Sequence, residues 1–319
     1  MKRALLLLAI LAVPAASSHA ASQGGTPVAL VTAESENALL VVDLDSRKVT
    51  RRLPMPADPE NVETNSTDSA AAVVSSRAGA VTLLSLPQLG IRRTIRGFGS
   101  PHIAAFSPSG RYLYVTDDAR GQLVVIGVRR GLVLARRFVG IGAHHIAVRP
   151  DGNLLWIVLG ERATEIVVVD TTRPGHPWVR ARLFEIGGLA HDAAFTPDGR
   201  RVWVGYDDRS AFAVFDARTY RILFTRPGGS PPQHVAFGIR FAYVTSGNDG
   251  RLRVFSFAGH ELGVARTPSG SFNLGLGGGL VLTPSLTQGT LTELRDSGSR
   301  MWSGRVAPAA RDAAVAVLP

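Results

Sequence analysis

Residues 101–116 read P-H-I-A-A-F-S-P-S-G-R-Y-L-Y-V-T. The pattern returns from His144 as H-H-I-A-V-R-P-D-G-N-L-L-W-I-V and from His191 as H-D-A-A-F-T-P-D-G-R-R-V-W-V. In each copy a polar residue opens a run of small and β-branched residues, a Pro- and Gly-bearing turn follows, and a second run carries an aromatic. Proline presets φ at the second turn position and glycine tolerates the exit, so the turn has a mechanism. Runs such as L-L-V-V-D-L, Q-L-V-V-I-G-V and A-F-A-V-F-D have strand length and strand composition. No window of a dozen residues holds a 3.6-residue period. The class is all-β.

Aligning the small residue of each inner run gives Thr64, Ala105, Ala147, Ala194, Ala236, Gly275 and Ala314, spaced by 41, 42, 47, 42, 39 and 39 residues. A period near 40 with about four strands per unit is that of a β-propeller blade. The long spacing accommodates an insertion, Thr171 to Trp178. Residues 27–54 lack an inner strand, and Asp312 to Leu318, D-A-A-V-A-V-L, is an inner strand with nothing after it. Joined, they complete one blade from both ends of the chain and remove the open edges that invite aggregation. The expected architecture is a seven-bladed propeller of four-stranded blades.

Met1-Lys2-Arg3, the apolar run Ala4 to Val13 and the small-x-small site Ser18-His19-Ala20 read as a secretory signal peptide, cleaved near Ala20. The expected organisation is therefore signal peptide 1–20, linker 21–26 and a single propeller 27–319, secreted or periplasmic. No other apolar run approaches the ~20 residues of a membrane helix. The chain has no cysteine, which excludes thiolate metal sites, catalytic cysteine, covalent haem attachment and a lipoprotein anchor. A domain of this size needs no disulfides to bury a core.

Net charge is +10, almost all from arginine, Lys2 and Lys48 being the only lysines. Arg51, Arg52, Arg92, Arg93, Arg136, Arg137, Arg180 and Arg182 fall on fourth, outermost strands, where charge protects an exposed edge. Basic residues interleaved with aromatics along one groove are absent, so nucleic acid is not the expected partner. A monomer binding an unidentified protein or small ligand is.

The repeat P-H-x-x-x-F-S-P-x-G-R-x-L-Y-V-T resembles the YVTN-repeat seven-bladed propellers, mostly exported prokaryotic proteins, and the related propeller-fold lactonases of the 6-phosphogluconolactonase type. The resemblance covers the whole chain after residue 26. It departs at Tyr114-Val115-Thr116-Asp117 and Tyr243-Val244-Thr245-Ser246, which lack the closing Asn, and the turn is lost in the units starting near Asn61, His234 and Asn273.

Five histidines, His102, His144, His145, His191 and His234, lie where inner strands begin. In a propeller that end opens beside the central channel, on the same face as the turns carrying Glu34, Asp117, Asp118, Glu161, Asp207, Asp208, Asn248 and Asp249. Imidazoles and carboxylates are expected to meet there, for metal ligation or for proton transfer by a histidine oriented by an acid. The structural alternative is a repeat histidine that only hydrogen-bonds within its own blade, as in WD-repeat propellers. His176 and His260 fall in outer loops. Trp156 and Trp203 take the place of Tyr114 in their blades and are expected to pack between blades. Asp43, Asp170 and Asp216 end third strands as turn acceptors. Asn65-Ser66-Thr67 fits a glycosylation site.

No G-x-S-x-G, H-E-x-x-H, P-loop, G-x-G-x-x-G or EF-hand pattern is present. The leading expectation is a binding or interaction scaffold working through its histidine-bearing face, with ligand contacts from His102, His144, His145, His191, His234, Glu34, Asp118, Glu161 and Asp207, and no obligatory cofactor. The alternatives are a lactonase-like hydrolase using His102, His144 and His191, or a propeller holding a divalent transition metal at the channel mouth on His102, His144, His191 and His234.

Overall fold

The computed structural model describes residues 25–318; the expected signal peptide and the start of the linker lie outside them. Seven four-stranded antiparallel sheets form a ring. Blade 1 is the closing blade, built from Ala313–Leu318, Thr26–Ala33, Ala38–Asp43 and Lys48–Pro54 in that spatial order. The C-terminal strand pairs with the first strand over Val31↔Ala313 to Thr26↔Leu318. Thr32 fixes this junction: its N–H donates to the Asp312 carbonyl at 3.0 Å, and its hydroxyl accepts the Asp312 N–H at 2.9 Å. Among the described residues no helix is long and apolar enough to cross a membrane.

The inner strands of blades 2 to 7 are Pro59–Thr64, Pro101–Phe106, Ala143–Val148, Ala190–Phe195, His234–Phe237 and Gly275–Gly277. All run in the same direction, so their N-termini share one face and the turns that follow them share the other. At those turns Gly110, Gly152 and Gly199 have φ of +66°, +75° and +66°, the left-handed conformation that made glycine necessary. Their N–H groups donate to Ser107, Arg149 and Thr196 carbonyls at 2.7–2.8 Å.

Seven buried apolar clusters each join one blade to the next. Trp156 and Trp203 are fully buried in two of them; Trp203 stacks on Phe212 at 4.5 Å and Trp156 meets Phe215 edge-on at 5.5 Å. Aromatic pairs of this geometry contribute ~0.5–1.5 kcal/mol beyond the area they bury. The fourth strands carry the arginines outward, as the edge-protection argument expects. Asp43, Asp170 and Asp216 accept the turn N–H groups of Ser46, Thr172 and Thr219.

Two sequence expectations need correction. The Asn65 N–H donates to the Ala70 carbonyl as the Ser107 N–H does to Tyr112, so the residue matching Ala105 is Glu63, not Thr64. Asn65 itself is buried, its side-chain oxygen accepting the N–H groups of Ser69 and Ala70. It serves the turn and does not present an amide for glycosylation.

Candidate metal site at the channel mouth

The corrected register sorts the five histidines into two levels. His102, His144 and His191 stand three residues before their small inner-strand residues, Ala105, Ala147 and Ala194, and form an outer level. His145 and His234 stand two residues before Ala147 and Ala236 and form an inner level. The five histidines at the strand entries thus divide into two stacked layers.

The layers touch. The rings of His102 and His144 stack at 3.6 Å and 11°. His145 lies 5.2, 4.8, 4.9 and 5.3 Å from His102, His144, His191 and His234 respectively. One nitrogen from each of His102, His144 and His145 falls within 4.8 Å of the others, and the same holds for His145, His191 and His234. His145 belongs to both triads.

Each outer histidine has its Nδ1 occupied by an oxygen from a neighbouring turn or strand. His102 Nδ1 lies 3.0 Å from Glu60 Oε2, and His144 Nδ1 lies 2.8 Å from Asp118 Oδ2. His191 Nδ1 lies 2.9 Å from the Glu161 carbonyl oxygen. Carbonyl and carboxylate oxygens only accept, so Nδ1 carries the proton in all three, and each Nε2 keeps its lone pair. This is the arrangement that prepares histidine for a metal. The Nε2 atoms of His191 and His234 are 3.0 Å apart. His145 is 7% exposed, and its Nδ1 has no hydrogen-bond partner among the described residues. A buried nitrogen without a partner is costly unless something fills its lone pair.

Burial, foremost, holds the pKa of His102 and His191 below the ordinary histidine value. Burial and the neighbouring imidazoles push His145 and His234 well below it. Glu60 is raised by burial, but the His102 N–H, the His102 charge and Arg311 outweigh that and leave it lowered. The His144 hydrogen bond lowers Asp118. His102, His145, His191 and His234 are thus favoured as neutral imidazoles, and Glu60 and Asp118 as carboxylates, the protonation state that metal ligation requires.

The cavity above the layers holds about 190 Å³ and is lined by the five histidines with Glu60, Glu161, Asp207, Phe272 and Arg311. Of the acids expected to converge, Glu161 and Asp207 reach it, and Asp207 is paired with Arg162. Asp118 stands behind His144. Glu34 stands behind Arg311, 3.3 Å away, and faces it rather than the imidazoles. Asp117, Asp208, Asn248 and Asp249 serve local structure: Asp117 accepts the Gly99 N–H, Asp208 the Leu189 N–H, Asn248 donates to the Pro231 carbonyl, and Asp249 pairs with Arg253. The sequence reading missed Glu60, Phe272 and Arg311. They occupy the outer-level position in blades without a histidine there, and correct alignment of Glu63 with Ala105 exposes Glu60 at once.

No family model matches the sequence, and no curated protein matches it. Solved structures do. A functionally unknown protein of Desulfotomaculum acetoxidans is 14% identical over 91% of this chain and 98% of its own, with a TM-score of 0.78. AztD of Citrobacter koseri, in its apo form, is 11% identical over 92% and 99%, with a TM-score of 0.71. Hydrazine synthase of Kuenenia stuttgartiensis is 14% identical over 80% and 89%, with a TM-score of 0.67. At such identities the likeness establishes the propeller fold and leaves function to the site.

Proposed function

We propose that this chain is an exported YVTN-type propeller that binds a divalent transition-metal ion on the imidazoles of its channel mouth. The observation that carries the reading is the occupation of three outer Nδ1 atoms by acceptors, which turns three Nε2 lone pairs toward two further imidazoles. Imidazole donors suit zinc, copper and nickel, whereas calcium and magnesium want oxygen. In tetrahedral zinc, Zn–N bonds of ~2.0–2.1 Å place ligand nitrogens roughly 3.3 Å apart. The 3.0 Å between His191 and His234 is close to that spacing.

The cavity size supports an ion over an organic substrate: about 190 Å³ lies below the ~300–1,000 Å³ usual for small-molecule pockets. We therefore read the mouth cavity as a binding site for an ion. The test is competition between tag-free protein and a zinc chelator. His102→Ala, His144→Ala and His191→Ala combined should weaken zinc by more than about 100-fold with the thermal transition retained; equal affinity in the triple variant would remove the site.

A further inference from the structure

Below the imidazole layers the channel widens into a basin of about 570 Å³ reached from the opposite face. His145 and His234 line both it and the mouth cavity, so the histidine layer is the partition between them. Although the chain carries +10, among the described residues no lysine or arginine lines the basin, whereas three carboxyl groups do: Glu63, Asp192 and Asp312. The mouth also has Glu60, Glu161 and Asp207, but there they stand with the Arg311 guanidinium, and Asp207 is paired with Arg162.

The three acids are not equivalent. Asp192 accepts the N–H of Val235 in the next blade at 2.9 Å, and Asp312 accepts that of Val62 at 3.0 Å, so both latch neighbouring inner strands together. Glu63 latches nothing. It stands where the other blades place Ala105, Ala147, Ala194, Ala236, Gly275 and Ala314, a ring of small residues that crowding near the axis demands. Among the described residues the Thr64 backbone is its one hydrogen-bond partner. A carboxyl group put into an alanine ring without a structural partner calls for another explanation, and the unpartnered Nδ1 of His145 on the same basin wall points to an ion arriving there.

Building on the metal reading, we infer that the ion reaches the imidazoles from the basin side and that Glu63 is the relay carboxylate that passes it to His145 and His234. A cation entering the basin meets carboxyl groups and, among the described residues, no lysine or arginine, and Asp312, the lowest of the three at about 6, is ionised at neutral pH to draw it in, whereas in the mouth it meets Arg311 beside the carboxylates. Burial, reinforced by Asp312, pushes the Glu63 carboxyl up to about 8. Without an ion nearby it therefore holds its proton at neutral pH. Asp312 is the titratable group that acts on it, and Asp192, His145 and His234 line the same basin. As a divalent cation comes alongside, the carboxyl releases one proton to solvent and coordinates transiently, and the ion then moves to the imidazoles while the carboxyl takes a proton back.

The test is stopped-flow zinc exchange against a fluorescent chelator, with equilibrium affinity measured on the same proteins: wild type, Glu63→Gln and Glu63→Asp. Glu63→Gln should slow association and dissociation alike by about tenfold and leave equilibrium affinity unchanged, and Glu63→Asp should restore most of the rate. The wild-type rate advantage should grow between pH 6.5 and 8.5, across the value of about 8 at which Glu63 ionises. Wild-type rates in Glu63→Gln would overturn the route, leaving the metal site intact. A variant that loses affinity through faster dissociation alone would make Glu63 a ligand and overturn the relay. Failure of the wild type to bind zinc would remove the metal reading and the relay with it.

Discussion

His191 and His234 face each other through their Nε2 atoms at 3.0 Å. The Glu161 carbonyl holds the proton of His191 on Nδ1, so His191 offers a lone pair across that gap. In the apo protein the His234 Nε2–H donates into it. Were the proposed ion bound, His234 would give up that contact and carry its proton on Nδ1, on the side of Asp192 Oδ2, 4.0 Å away, leaving both Nε2 atoms free to hold the ion. On the proposed metal reading, a pair that hydrogen-bonds without the ion would supply two of its ligands.

The acceptors behind the outer histidines should govern affinity without touching the ion. Asp118→Asn and Glu60→Gln remove the charge that holds each proton on Nδ1, and each should cost about 10- to 100-fold in zinc affinity. The Glu60 change should be the larger, because Glu60 is 16% exposed against 35% for Asp118. Chelator competition reads both. Unchanged affinity in the pair would assign these contacts to fold stability alone.

Stability should vary with pH in two opposed ways. His102, His145, His191 and His234 have folded pKa values below the unfolded 6.5, so their contribution is complete above pH 6.5 and is lost as pH falls below it. Glu63, Asp192 and Asp312 are raised by burial to about 8, 7 and 6. Their protonated form favours the fold, and that contribution is lost as pH rises from the unfolded carboxyl values toward those figures. Above pH 6.5 only the carboxyl effect remains, so the melting temperature of metal-free protein should decline from pH 6.5 to 8.5. Glu63→Gln should flatten that decline. Thermal melts in a pH series decide it; a steeper decline in the variant would contradict the assignment.

Ring closure rests on the last strand. Ending the chain at Arg311 removes six antiparallel pairings with Thr26–Val31 and the buried side chains Ala313, Ala314, Val315 and Ala316. It also strips the first strand's edge, which then becomes a template for other chains. The truncated protein should lose its single cooperative transition and self-associate, read by melting and size-exclusion chromatography. A monomer with wild-type melting would refute closure as a source of stability.

The fold was legible because its determinants are local and repeated. The turn at Ser107–Gly110 needs its glycine, the inner strands need alanine, and both recur in order. The split blade was legible because Asp312 to Leu318 lacks a following strand and residues 27–54 lack a preceding one. The site was legible only in part. Histidine is scarce enough here for its recurrence to stand out at His102, His144 and His191. Glu60 and Glu63 escaped because they sit in a blade whose turn signature has eroded, where one residue of misregister exchanges a channel-facing side chain for its neighbour, and Arg311 because no histidine marks that position in the closing blade. The two-level arrangement of the histidines was not legible, since it depends on the irregular pairing between Ala143 and Ile146 that seats both His144 and His145 at the channel.

The measurement that bears most directly on the metal reading is the elemental content of the full chain, expressed with export and purified without a histidine tag or chelator. The expected result is zinc, copper or nickel bound at a fixed stoichiometry near one per chain, and absent from the His102→Ala, His144→Ala, His191→Ala variant. A wild-type protein that carries no transition metal, and takes none up at micromolar concentration, would contradict the account and leave the histidine cluster a purely structural feature of the propeller.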